Sequence, residues 1–140
     1  MENNNELFFE SNLKNKSVQE WKEQGKKVIG TICCHVPEEI NNAAGLLPYR
    51  IRATGCVEDS LSEVWMSSFS CSYSRSCLEF LLNGTYDFID GVVSSNGCLH
   101  AQRLYDNWRY NDTKSYRHLI TAPRKYSDSS VLYYRDELIQ

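Results

Sequence analysis

Cys98 stands where an apolar stretch hands over to a helical pattern. Phe88-Ile89-Asp90-Gly91-Val92-Val93 reads as a short buried strand, Ser94-Ser95-Asn96-Gly97 as a small-residue turn, and the helical spacing begins at Cys98. A thiol in the first turn of a helix meets unpaired backbone N–H groups and the positive end of the helix dipole, and both favour the thiolate. Cys71 repeats the arrangement within Ser67-Ser68-Phe69-Ser70-Cys71-Ser72-Tyr73-Ser74-Arg75-Ser76. Cys33 is a third instance, between Val28-Ile29-Gly30-Thr31-Ile32 and Pro37-Glu38-Glu39. Cysteines placed repeatedly at strand-to-helix handovers suggest a soft-metal or redox site on one sheet edge.

Each of these residues also has a plainer reading. A free cysteine packs as a small hydrophobe, but Cys71 and Cys98 are flanked by Ser, Asn and Gly, which leave backbone N–H groups free to meet sulfur. Strand side chains alternate, so one of Cys33 and Cys34 is expected at the edge and the other in the core. His35 is a proton donor, a ligand or an exposed loop residue. Glu38 and Glu39 are explained as acids near a helix N-terminus. Arg75, one turn past Cys71, and Arg103, five residues past Cys98, either balance negative charge on a cluster or phosphate or are surface arginines. His100 either faces the cavity of Cys98 or is solvated. Cys77, among Leu78, Phe80 and Leu81, reads as core, and Cys56 lies in a loop.

The elements that must position these residues follow from the pattern. A helical stretch over 6–23 stops at Gly25. Strand 28–33, a helix from Pro37 to about Leu46 and an extended piece at 49–53 come next. Residues 64–66 fit no clear class. Helix 71–82 ends at Asn83-Gly84, a C-cap signal. Strand 88–93, a helix from Cys98 to about Tyr110, strand 118–121 and helix 129–139 complete the order. Alternation of this kind predicts right-handed βαβ units, a Rossmann-like α/β parallel sheet with helices on both faces. Ligands of such sheets sit beyond the carboxyl ends of the strands, where Cys33, Cys71 and Cys98 would all lie.

Composition narrows the function classes. The 140 residues suffice for one domain with a core. A formal charge of −3 and the lack of a basic cluster beyond Lys26-Lys27 argue against nucleic-acid binding. No apolar run approaches the roughly 20 residues of a bilayer span. The polar start, Met1-Glu2-Asn3-Asn4-Asn5, lacks the features of a secretory signal, which points to a cytoplasmic protein. Six cysteines without such a signal and without a CxxC pair favour metal or redox chemistry over a disulfide framework.

Four segments in order carry a resemblance. They are Gly30-Thr31-Ile32-Cys33 with Val36-Pro37-Glu38-Glu39-Ile40; Ala43-Ala44-Gly45-Leu46-Leu47-Pro48; Ser70-Cys71-Ser72-Tyr73-Ser74-Arg75-Ser76; and 86–93 with Cys98 and Arg103-Leu104-Tyr105-Asp106-Asn107-Trp108. From about Lys27 onward the chain resembles the 2-hydroxyacyl-CoA dehydratase D-component family, which includes subunits of ATP-dependent benzoyl-CoA reductase. The resemblance implies a helical N-terminal arm over 1–25 and a first α/β cluster-binding domain over 26–140, with the family's second α/β domain missing from a truncated chain or fragment. It implies a [4Fe–4S] cluster held by three cysteines with one iron open. Cys71 and Cys98 match two ligand positions. The third is expected from the family's C-terminal half, with Cys33 the other source. Cys34, His35, Arg75, His100 and Arg103 become substrate-pocket candidates.

The implied reaction is oxygen-sensitive loss of water from a 2-hydroxyacyl-CoA through a ketyl radical. The implied partners are a second subunit in a heterodimer, an ATP-dependent iron–sulfur activator protein and the acyl-CoA, with no nucleic acid and no membrane. The alternatives are a benzoyl-CoA-reductase-type subunit and a non-catalytic truncated paralogue that serves as a binding or assembly module.

Overall fold

A computed structural model describes residues 13–139. Its centre is a four-stranded parallel sheet of β1 (Val28–Thr31), β2 (Leu47–Arg50), β3 (Gly91–Ser95) and β4 (Tyr116–Ile120), in the order β2-β1-β3-β4. The register pairs Gly30 with Tyr49 on one side and with Val92 on the other, and Val93 with His118. All residues of β1 and β3 are buried. A parallel sheet covered on both faces needs such continuous burial rather than alternation.

Helices α1 (Lys16–Glu23), α3 (Ser72–Leu82) and α4 (Leu99–Asn111) cover one face. Val18, Cys77, Leu78, Leu104 and Trp108 meet Val28, Ile32 and Val92 there in the larger core. On the other face Ile29, Val93 and Ile120 lie under Val36 and Leu46, which flank α2 (Glu38–Ala43), and under Tyr134 and Leu138 of α5 (Asp128–Ile139). The expected α/β architecture with helices on both faces is therefore present. Of the expected N-terminal helix, the described part runs from Lys16, capped by Asn15 Oδ1, which accepts from Val18 N at 3.0 Å. The rest of that expectation falls on residues 1–12, outside the described residues.

Among the boundaries that differ from those expected, α2 stops at Ala43 and β4 starts at Tyr116, and three others have a physical reason. Strand β1 ends at Thr31 because Cys33 takes a left-handed backbone (φ 64°), although Ile32 N still donates to Val93 O at 2.9 Å. Strand β2 starts earlier, at Leu47, and contains Pro48. It is the sheet edge, where a missing N–H costs least. Strand β3 starts at Gly91 and runs on through Ser94 and Ser95, because Phe88 and Ile89 close a turn (Ile89 N to Tyr86 O, 2.9 Å) while the serines pair with Leu119 and Ile120. Gly91 suits that entry: a Cβ there would lie 3.0 Å from Tyr116 O. The undefined stretch at 64–66 follows a 3-10 turn, Ser62–Val64, tied to α3 by Ser62 N, which donates to the buried Glu79 Oε2 at 2.8 Å.

Candidate metal centre at the carboxyl edge of the sheet

The chain leaves β1 toward α2 on one face and leaves β3 toward α4 on the other. The sheet therefore has its topological switch point between β1 and β3, where open α/β sheets form their ligand crevice. Two short turns face each other across it, Cys33-Cys34-His35 after β1 and Asn96-Gly97-Cys98 after β3. Ser95 Oγ donates to Cys34 O at 2.6 Å and joins them. They pack closely: a Cβ on Gly97 would lie 3.3 Å from His35 Cδ2 and 3.4 Å from Cys34 Sγ. Both Cys33 (φ 64°) and His35 (φ 61°) are left-handed without being glycine, a cost of about 1–3 kcal/mol each that concentrates at functional sites. Tyr134 of α5 donates its hydroxyl to His35 O at 3.0 Å and latches the turn from the other face.

Cys98 is the N-cap of α4, and its exposed sulfur accepts from Ala101 N at 3.3 Å. Cys71 is the N-cap of α3, also exposed, and donates from Sγ to Ser74 Oγ at 3.2 Å. The start of α3 is held at the same sheet edge by Tyr73, whose hydroxyl donates to Ile51 O at 3.0 Å and lies beside the Cys33 backbone. Burial pushes the Tyr73 hydroxyl up from its ordinary pKa, so it stays a neutral donor at this position.

Cys33 is half-buried against the larger core, and Cys34 is exposed. The two therefore do face different surroundings, as expected, but through a turn and not through strand alternation. Burial first, and then the neighbouring Cys34, raise the pKa of the Cys33 thiol, while Arg50 at the end of β2 opposes the shift.

The remaining candidates are distributed more widely. Arg75 is paired with Asp59 of the preceding loop, so its charge is engaged within the chain. Arg103 meets Asp106 at 3.2 Å on the exposed side of α4, and His100 is exposed in the first turn of that helix. Cys77 is fully buried, and burial pushes its thiol up to about 12. Cys56 Sγ donates to Glu58 O at 3.1 Å in the loop before the 3-10 turn. Sequence reasoning overlooked Tyr73, Ser95 and Tyr134, which position the turns. None has a local signature, since each acts on a residue distant in sequence.

A single metal ion needs three donors converging on one point, and among the described residues no His, Cys, Asp or Glu group does so. An iron–sulfur cluster asks something different, one thiolate per iron on a spread of metal atoms. Cys33 and Cys98 stand in the turns after β1 and β3, and Cys71 stands at the start of α3. The backbone N–H aimed at Cys98 is the type of contact that tunes such sulfurs.

Residues 33–140 match a protein family described as 2-hydroxyglutaryl-CoA dehydratase, D-component. The chain is 34% identical over 89 residues to the β subunit of (R)-2-hydroxyglutaryl-CoA dehydratase of Acidaminococcus fermentans, covering 64% of this chain and 24% of that protein. It is 31% identical over 126 residues to a benzoyl-CoA reductase subunit of Thauera aromatica, covering 87% of this chain and 33% of that one. It is 30% identical over 112 residues to the β subunit of (R)-phenyllactyl-CoA dehydratase of Clostridium sporogenes, covering 76% and 30%. The chain thus spans between a quarter and a third of the length of these relatives.

Proposed function

Because the chain belongs to the 2-hydroxyglutaryl-CoA dehydratase D-component family, we propose that it supplies the cluster-binding α/β unit of a 2-hydroxyacyl-CoA dehydratase subunit. The observation that carries this reading is the pair of exposed N-cap thiols, Cys71 at the start of α3 and Cys98 at the start of α4. Cys71 and Cys98 hold two irons of a [4Fe–4S] cluster. The third ligand is expected from elsewhere in the family's chain, and Cys33, in the turn after β1, is the other source. When bound, the cluster supplies a single low-potential electron and, at an open iron, a Lewis acid for a hydroxyl or carbonyl oxygen.

The chain's own residues prepare that site. At the start of α4 the Cys98 sulfur accepts from Ala101 N, and at the start of α3 the Cys71 thiol donates to Ser74 Oγ. Tyr73 and Ser95 fix the turns that carry the ligands. Cys34 and His35 face the crevice between β1 and β3, where the acyl-CoA thioester binds. The partners follow from the family: a second subunit and an ATP-dependent iron–sulfur activator. A reducing cytoplasm is the compartment in which these free thiols persist. Among the described residues no helix is long and apolar enough to cross a membrane.

A benzoyl-CoA-reductase-type role is the second reading, favoured by the wider coverage of the match to the Thauera aromatica reductase subunit, 87% of the chain. Assaying the assembled complex with its activator, ATP and both thioester types separates the two. Release of water from a 2-hydroxyacyl-CoA supports the first, ring reduction of benzoyl-CoA supports the second, and turnover of neither overturns both. In the last case the chain would act as a binding or assembly module.

A further inference from the structure

We propose that Cys33 and Cys34 form a reversible vicinal disulfide, a modification site in which the exposed thiol takes the oxidant and the half-buried thiol resolves it. Their sulfurs stand 3.8 Å apart, in the one sulfur–sulfur hydrogen bond among the described residues. The other thiols make different contacts. Cys71 bonds Ser74, Cys98 caps α4, Cys56 bonds Glu58 O and Cys77 is enclosed in the core.

The surroundings of the pair favour this chemistry at this place. Cys34 is exposed and Cys33 is not, so a small hydroperoxide reaches Cys34 first. The turn is fixed on three sides: Ser95 Oγ donates to Cys34 O, Tyr134 donates to His35 O, and Gly97 closes against Cys34 Sγ. The left-handed backbone at Cys33 turns the chain just where two neighbouring side chains must meet.

The chemistry balances with a hydroperoxide as oxidant. The Cys34 thiol reduces ROOH to ROH and becomes a sulfenic acid. Cys33 sulfur then attacks that sulfur, forming the S–S bond and releasing water. The two thiols lose two electrons and two hydrogens, and a dithiol reductant reverses the change. Closure brings the sulfurs to about 2.05 Å. Adjacent Cα atoms stand only about 3.8 Å apart across a trans peptide, closer than the roughly 4.4–6.8 Å of ordinary disulfides. The bond is therefore strained and readily reduced, as labile regulatory disulfides are.

The consequence for the cluster rests on the assignment of Cys33 as a ligand. Closure would withhold that ligand while sparing it from irreversible oxidation to sulfinic acid.

The test uses the full chain, reduced and metal-free, treated with a small excess of hydrogen peroxide. The expected product has lost two hydrogens and two titratable thiols, with both changes in the peptide that carries Cys33 and Cys34. Dithiothreitol should restore it. Cys71→Ser and Cys98→Ser should close the bond as the parent does, whereas Cys33→Ser should leave Cys34 as a sulfenic acid that dimedone captures. Phenylarsine oxide, which bridges close dithiols, should bind one per chain and be lost in both Cys33→Ser and Cys34→Ser. A disulfide joining either residue to Cys71 or Cys98, or sulfinic acid on Cys34 while Cys33 is present, would overturn the proposal. These outcomes are read without a cluster. A chain that closes the disulfide but binds no iron would leave this inference standing and count against the cluster assignment.

Discussion

At Cys98, cap and ligand are the same atom. The sulfur accepts from Ala101 N in the place a Ser or Asp oxygen occupies in most helix caps. Cys98→Ala should therefore cost about 1 kcal/mol in stability as well as iron, while Cys98→Ser should recover the stability but not the iron. Urea denaturation beside iron analysis separates the two effects. Cys77 is the internal control. With its thiol pushed up to about 12 by burial, it should resist iodoacetamide at pH 8 in the native chain and react once urea unfolds it. Cys77→Ala should lower stability by about 1–2 kcal/mol through the cavity it leaves and should leave cluster assembly intact. Rapid native alkylation of Cys77 would show that the core is not closed around it.

At the scale of elements, the sheet is held at its other edge by Asp90. This carboxylate accepts from Lys22 at 2.8 Å, Lys27 at 3.1 Å and Val28 N at 2.8 Å, and so ties α1 and β1 to the entry of β3. Partial burial opposes ionisation, but these donors outweigh it and hold the carboxyl below its ordinary pKa. A group whose pKa is lowered by folding stabilises fully above its unfolded value and ceases to do so as pH falls through its folded value. The chain should therefore lose stability below about pH 4, and Asp90→Asn should flatten that part of the profile and cost about 2 kcal/mol at neutral pH. Thermal melts across pH test both. An unchanged acid limb in the variant would mean that other carboxylates govern it.

The elements also show why some of the structure was legible in advance. Alternating strand and helix patterns, the Asn83-Gly84 stop (Gly84 φ 82°) and the helix starts at Cys71 and Cys98 are local signals and mark elements found, although Cys71 follows a 3-10 turn and loop rather than the expected strand. The end of β3 is not local: pairing with β4 carries it through Ser94 and Ser95, which the sequence reads as a turn. The contacts of Tyr73 with Ile51, of Ser95 with Cys34 and of Tyr134 with His35 join residues distant in sequence. No spacing rule could announce them. Gly97 belongs to the same class, since its need for a small residue arises from His35 and Cys34 across the crevice. Gly97→Ala should displace that turn by a few tenths of an ångström and slow disulfide closure by peroxide, as read by thiol titration over time. A parental rate in the variant would show that the turn yields without effect on the pair.

For the whole molecule, the central feature is a β2-β1-β3-β4 sheet whose carboxyl edge carries the turns of Cys33, after β1, and Cys98, after β3. Family membership is shown by the match over residues 33–140, while the cluster, its reaction and its partners are proposals. The most direct measurement is anaerobic reconstitution of the chain with iron and sulfide, followed by visible absorbance and iron analysis of the parent and of Cys33→Ala, Cys71→Ala and Cys98→Ala. Visible absorbance and iron that fall in Cys71→Ala and in Cys98→Ala and not in Cys77→Ala are predicted, with the parent's cluster labile where the third ligand lies outside residues 1–140, and a fall in Cys33→Ala as well would mark Cys33 as that ligand. A stable stoichiometric cluster that survives both Cys71→Ala and Cys98→Ala would contradict the assignment.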